Sequence, residues 1–266
     1  MIRRIAFLLA LVAATPVAAQ SIRSLASADQ GRGWDAVGRI NIGTTGFCTG
    51  TLIADDMVLT AAHCLYDKTT GQRVADTDIT FLAGWRNGRA EAYRNVARAL
   101  AHPEYRFGGE PLESVGTDLA LLRLDHPIRL PQVQPIATDI TPATGREVGI
   151  VSYAQDRSEA PSLQQVCTVM AERPDMMVLS CAVDFGASGA PVFTVTDGMI
   201  TIVSVVSAKA EVKGTPVSLA VPLAAPLARL QSEMAMGTAA TAATTTPGVR
   251  VLSTGTGGAK FLRVSP

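Results

Sequence analysis

The sequence predicts an all-β fold, a sandwich or barrels made of many short strands. Two observations carry that expectation. From about residue 35, short alternating or apolar runs recur, separated by Gly, Pro and Asp turns. Over the same stretch no long run places apolar residues at the helical spacing of three and four. The chain has 266 residues, 47% of them apolar, which is enough for one sizeable domain or two packed halves.

In chain order, the first candidate strand is 38–42, where Ile40 and Ile42 alternate with Arg39 and Asn41. Next come 51–53, 57–60 and 119–124. The second half offers 147–152, 164–169, 177–180, 191–195 and 199–206. A short helix is expected over 222–234, where Leu223, Leu227 and Leu230 fall near one face. On this reading 35–236 is the folded unit. Residues 20–34, polar and glycine-containing, form a loose N-terminus, and 237–266 are an Ala/Thr-rich linker and tail with one strand-like string at 260–264.

Residues 1–19 stand apart. Arg3 and Arg4 precede an apolar run from Ile5 to Ala14, and small residues follow up to Ala18 and Ala19. A basic start, a short apolar middle and a small-residue exit make a secretory signal peptide, with cleavage expected after Ala19. The run is too short to span a bilayer, which takes about 20 apolar residues. A twin-arginine signal is the alternative reading of Arg3 and Arg4. The expected destination is secreted or periplasmic.

Export permits disulfides. Cys48, Cys64, Cys167 and Cys181 allow three connectivities, of which the two local bridges, Cys48–Cys64 and Cys167–Cys181, are favoured over free buried thiols. No string has metal-ligand spacing, so no metal and no cofactor is expected. Twenty-three basic and twenty-three acidic residues cancel, which removes the electrostatic reason to expect nucleic acid or a membrane surface as partner. A monomer is expected.

Three strings carry chemistry: Leu-Thr-Ala-Ala-His-Cys at 59–64, Thr-Asp-Leu-Ala-Leu-Leu at 117–122, and Asp-Phe-Gly-Ala-Ser-Gly-Ala-Pro at 184–191. A serine hydroxyl needs a base to take its proton during attack. Histidine titrates in the right range to be that base. A buried carboxylate fixes the imidazole tautomer and stabilises the imidazolium. The candidates are Ser188, His63 and Asp118. The N–H groups of Gly186 and Ser188 are the candidate oxyanion hole, in which one donor is typically worth roughly 3–4 kcal/mol in the transition state. His102 and His126, each before a proline, read as surface or turn residues. Asp55 and Asp56 read as a turn, and Asp67 as a loop residue.

These strings resemble the chymotrypsin/trypsin-like serine peptidases. Thr60 to Cys64 matches that family's histidine motif, Asp118 to Leu122 its aspartate motif and Gly186 to Pro191 its serine motif, in the family's order. Cys48 matches the partner that braces the histidine loop, and the strings at 102–105 and 126–128 are similar to family strings outside the site. The resemblance covers roughly residues 35–232. It implies protein or peptide substrates, and two packed six-stranded antiparallel β-barrels with the site in the cleft between them, His63 and Asp118 from the first and Ser188 from the second.

The sequence departs from the trypsin-like pattern at Ala187. There the family carries an aspartate that pairs with a new N-terminal amine after zymogen cleavage. Its absence resembles the bacterial glutamyl-endopeptidase-like branch. The resemblance places the primary pocket at Ala182, Val183 and Asp184 with Val206, Ser207, Ala208 and Lys209. No carboxylate falls clearly at its base and no histidine lies on the later strand, so small or apolar residues are the expected preference. A non-catalytic binding module on the same fold, or an esterase using the same residues, are the alternatives.

Overall fold

The computed structural model describes residues 22–244, apart from 45, 140 and 141. The expected signal peptide and the string at 260–264 lie outside the described residues.

The N-terminal segment contains β1 (Ile22–Ser24) and a single turn α1 (Ala28–Gly31). The first barrel is built from β2 (Val37–Ile42), β3 (Gly46–Ala54), β4 (Met57–Thr60), β5 (Ile79–Ala83), β6 (Ala92–Ala101) and β7 (Ala120–Leu124), closed in the order β2-β3-β4-β7-β6-β5. Helix α2 (Pro111–Ser114) lies in the connection before β7. The second half is formed by β8 (Glu147–Ala154), β9 (Arg157–Arg173), β10 (Met176–Leu179), β11 (Pro191–Thr196), β12 (Met199–Val212) and β13 (Thr215–Pro222), followed by α3 (Ala224–Thr244). Its sheet order is β1-β9-β10-β13-β12-β11-β8, and β8 pairs back onto β9. Six strands therefore close a second barrel and β1 is appended to its outside, all pairings being antiparallel.

Closure leaves the six barrel strands no free edge and gives each an inner face to fill. In β2, Ile40 and Ile42 are buried while Arg39 and Asn41 between and before them stay half-buried, as the alternation predicts. Strand β7 is covered on both sides, with Leu121 and Leu122 both fully buried. One apolar core runs from the first barrel into the second through Tyr153, Leu163, Phe193 and Val205, and a smaller one fills the rest of the second barrel around Cys167 and Cys181. Both local disulfides, Cys48–Cys64 and Cys167–Cys181, are formed.

Three expectations are corrected here. Residues 22–34 are not loose. β1 pairs with β9, Leu25 is fully buried, Ser27 and Gln30 form a capping box, and Trp34 packs on Phe193 at 4.4 Å between ring centroids. Arg86 holds the segment from the first barrel: its guanidinium donates to the carbonyls of Leu25 and Gly31 and to the Asp35 carboxylate at 2.7 Å. Second, helix α3 begins where the sequence suggests but runs to Thr244, into the stretch expected to be a linker, which fits the high helix propensity of alanine. Third, His102 is buried at 6% exposure, whereas His126 is exposed.

Candidate active site

Strand register brings the first two candidates together. β4 and β7 are antiparallel with Thr60 opposite Ala120. The chain leaving β4 and the chain entering β7 therefore meet at one end of the barrel, and these are the segments that carry His63 and Asp118. His63 sits in the single 3₁₀ turn Ala62–Leu65, tied to β3 through the neighbouring Cys64–Cys48 disulfide.

Asp118 is 3% exposed and its carboxylate is saturated. Oδ1 accepts from the His63 backbone N–H at 2.8 Å, and Oδ2 lies 2.7 Å from His63 Nδ1. Oδ2 also accepts from the Ser207 hydroxyl at 2.5 Å. An ionised carboxylate only accepts, so in the neutral imidazole Nδ1 carries the proton and Nε2 presents its lone pair. A buried carboxylate with three hydrogen bonds avoids the cost of an uncompensated interior charge.

Ser188 is placed by its main chain. Its carbonyl accepts from Thr49 N–H at 2.9 Å, which docks the loop on the first barrel. Gly189 N–H donates to Val206 O at 2.8 Å, and Val206 N–H donates to Ala190 O at 2.9 Å, so the loop also rides on β12 next to Ser207. Gly189 has φ +79°, and a β-carbon on it would overlap the Thr60 hydroxyl and the Thr49 carbonyl. Such a close approach brings Ser188 beside the strand that leads into His63. Among the described residues the Ser188 hydroxyl makes no hydrogen bond; it is partly exposed. In structures without substrate such contacts are commonly long and tighten only when substrate binds.

The loop before Ser188 has a defined turn. Ala187 N–H donates to Asp184 O at 3.0 Å across Phe185 and Gly186, and Gly186 has φ +96°, the left-handed value a type II turn needs at its third residue. On either side of Ala187, the N–H groups of Gly186 and Ser188 have no acceptor among the described residues. Unpaired backbone donors are the groups that a developing anion requires.

The residues expected to form the primary pocket behave differently from one another. Ala182, Asp184 and Lys209 are exposed, and Ala208 and Val183 are half-buried. Val206 is a correction: its side chain is 1% exposed and packs in the second core. Ser207 is a second, since its hydroxyl is turned to Asp118 and not to solvent. Lys209 Nζ lies 3.3 Å from Asp184 Oδ1 and 4.1 Å from the centroid of Phe185. The Phe185 N–H and then Lys209 hold the Asp184 carboxyl below its ordinary range. None of these expected pocket residues lines a cavity of about 810 Å³ in the first barrel's neighbourhood. That cavity lies on the other flank of Gly186, between Phe47, Tyr66, Lys68, Val74 and Gln155.

Two contributors were not singled out for these positions. Ser207 carried a signal, because a serine at the end of the largely apolar strand string 199–206 must find an acceptor when buried. Thr49, fully buried in β3, carried none that separates it from an ordinary strand threonine. His63 lies near the sulfurs of Cys48 and Cys64, but both are consumed in the disulfide and offer no thiolate to a metal.

Two antiparallel barrels joined along such a site define the two-barrel class of serine peptidase folds. The sequence model of the trypsin family matches residues 25–225, and the chain belongs to that family. Over 93 residues it is 37% identical to human kallikrein-10, and over 92 residues 33% identical to serine protease 1 of Rattus norvegicus. It is 33% identical over 105 residues to a trypsin of Phaedon cochleariae. These matches span 34%, 34% and 38% of the chain, and about a third of each relative: 31%, 33% and 36% of its length. Among solved structures, a Glu endopeptidase in complex with MPD superposes with a TM-score of 0.67 at 20% identity, over 82% of this chain and 98% of that one. A thermostable serine protease from an extremophilic microorganism gives 0.60 at 18% identity, over 74% and 94%. At these identities the likeness is one of fold.

Proposed function

We propose that the chain is a secreted serine endopeptidase with Ser188 as nucleophile, His63 as general base and acid, and Asp118 as the carboxylate that orients the imidazole. The observation that carries this reading is the Asp118 carboxylate bonded to both the backbone N–H and Nδ1 of His63. Ser188 Oγ attacks the substrate carbonyl while its proton passes to His63 Nε2. The resulting oxyanion is taken by the N–H groups of Gly186 and Ser188. His63 then gives the proton to the leaving nitrogen, the C–N bond breaks, and an acyl group stays on Ser188. Water, deprotonated by His63, attacks the acyl carbon and releases Ser188. No cofactor is needed at any step.

Preference for small or apolar residues is part of the proposal. The two charges among the expected pocket residues, Asp184 and Lys209, pair with each other, which leaves neither free to select a charged side chain. The large cleft beside Gly186 would hold peptide on the leaving-group side. Secretion is supported by the composition of residues 1–19 and by the two disulfides. Among the described residues no helix is long and apolar enough to cross a membrane. With alanine at 187, folding and signal removal suffice for activity.

The test is labelling of the purified mature protein with a fluorophosphonate probe, beside Ser188→Ala and His63→Ala. Labelling that disappears in both variants is expected. A folded protein that does not label would overturn the peptidase reading and leave a binding module. Profiling on a peptide library checks the preference: dominant cleavage after Lys or Arg would overturn it.

A further inference from the structure

The oxyanion loop has no aspartate to hold it, yet its central peptide is clamped on both sides. The peptide between Gly186 and Ala187 has its N–H bonded to Asp184 O at 3.0 Å. Its carbonyl, the Gly186 O, accepts from the Thr49 hydroxyl at 2.9 Å. That hydroxyl in turn accepts from Tyr153 N–H at 3.1 Å. The direction of the relay is fixed by chemistry, because a backbone N–H only donates and a carbonyl only accepts. All of it is buried: Thr49 and Tyr153 are fully inaccessible, and Gly186 is packed against Phe47 and the Ala154 backbone.

From this geometry we infer that Thr49 is a positioning residue for the oxyanion hole, a first-barrel hydroxyl that holds the Gly186–Ala187 peptide in the one orientation leaving Gly186 and Ser188 N–H unpaired. The inference rests on the peptidase reading of the site. Three further features place Thr49 for this task. Its own N–H donates to the Ser188 carbonyl, so one residue holds the loop on both sides of Ala187. Its carbonyl accepts from the Thr60 hydroxyl at 2.9 Å, which ties it to the strand leading to His63. Its β-branched side chain restricts χ1, so the hydroxyl is fixed without further support. Tyr153 supplies the anchoring N–H from β8, so the clamp needs both barrels packed and no new N-terminus. Folding alone sets it.

The experiment compares second-order fluorophosphonate labelling of Ser188 in the wild type, Thr49→Val and Thr49→Ser, with the thermal midpoint of each. Thr49→Val keeps the shape but can neither donate to Gly186 O nor accept from Tyr153 N–H. Labelling is expected to slow by about 10- to 100-fold, less than the roughly 100- to 1,000-fold of losing an oxyanion donor outright. Thr49→Ser keeps the hydroxyl and is expected within about threefold of wild type. The pH midpoint of labelling is expected to be the same in all three. A midpoint that moves in Thr49→Val would assign the loss to a disturbed histidine loop and overturn the inference. So would a folded Thr49→Val that labels within about twofold of wild type. A wild type that never labels would overturn the peptidase reading and the inference with it. Should Thr49→Val not fold, Thr49→Ala against Thr49→Ser carries the same two outcomes.

Discussion

The Ser207 hydroxyl donates a 2.5 Å hydrogen bond to the Asp118 carboxylate, linking β12 of the second barrel to the loop that opens β7 of the first. Asp118 would otherwise depend for both its oxygens on His63 alone. The bond therefore fixes the carboxylate relative to the serine loop that β12 also carries. Ser207→Ala removes a donor to a buried charge, an interaction worth about 1.5–3 kcal/mol. Fluorophosphonate labelling is expected to fall by about tenfold or more. Labelling within twofold of wild type would show that His63 holds Asp118 unaided.

Gly189 separates two costs that are usually mixed. Its φ of +79° disfavours any residue with a β-carbon, and its surroundings leave no room for one, since the Thr49 carbonyl is backbone and cannot swing aside. Gly198 has nearly the same φ, +78°, with open space around it. Gly198→Ala is expected to cost about 1–2 kcal/mol, the left-handed backbone term alone. Gly189→Ala is expected to cost about 2–3 kcal/mol more, because overpacking is added. Urea midpoints of the two variants check this, and equal losses would refute it.

How much of this was visible beforehand depended on the kind of partner each residue has. The candidates His63, Asp118 and Ser188 were legible because the local strings around such residues are constrained by chemistry. β7 was legible because strands covered on both faces become apolar runs. β6 was not: Arg94, Asn95 and Arg98 interrupt it, and its buried positions, Ala92, Val96 and Ala99, are mostly alanine, so neither β-propensity nor alternation marks it. The ordered N-terminal segment was hidden for another reason. Arg86 binds it through the carbonyls of Leu25 and Gly31, and a carbonyl is the same whatever the side chain. Ser207 was found but given the wrong task, because its acceptor is 89 positions away and only the packing of two barrels brings it there.

Arg86 should be sensitive in proportion to its partners. Its guanidinium and the Asp35 carboxylate are about nine-tenths buried, and burial pushes the Asp35 carboxyl up while Arg86 pulls it down. Arg86→Met keeps the side-chain volume but leaves Asp35 without its counter-charge and takes a donor from the carbonyls of Leu25, Gly31 and Gly84. A loss of about 3–5 kcal/mol is expected, as for other half-deleted buried pairs. Proteolysis should then open first at residues 22–34, while the Asp35→Asn, Arg86→Met double variant recovers part of the loss. A thermal midpoint unchanged by Arg86→Met would mean that β1 and Trp34 hold the segment by themselves.

Stability should also respond to mild acid through His102. The ring is 6% exposed, and its Nδ1 faces the Glu104 N–H at 3.4 Å, an arrangement that suits a neutral imidazole. Burial chiefly, and then the positive charge of Arg229, lower its pKa from 6.5, against the weaker opposite pull of Glu104 and Glu233. The native state therefore binds the proton less readily than the unfolded chain. The contribution is fully present above about pH 6.5 and is lost as pH falls through the lowered folded value. Between pH 7 and 5 the thermal midpoint should drop in the wild type, before most carboxylates titrate. In His102→Gln it should start lower, because of the lost packing, but decline less steeply over the same interval. Parallel curves would place the acid sensitivity elsewhere and refute a buried neutral His102. Direct titration of the ring by NMR, giving a midpoint below 6.5, would support it independently of the folding measurement.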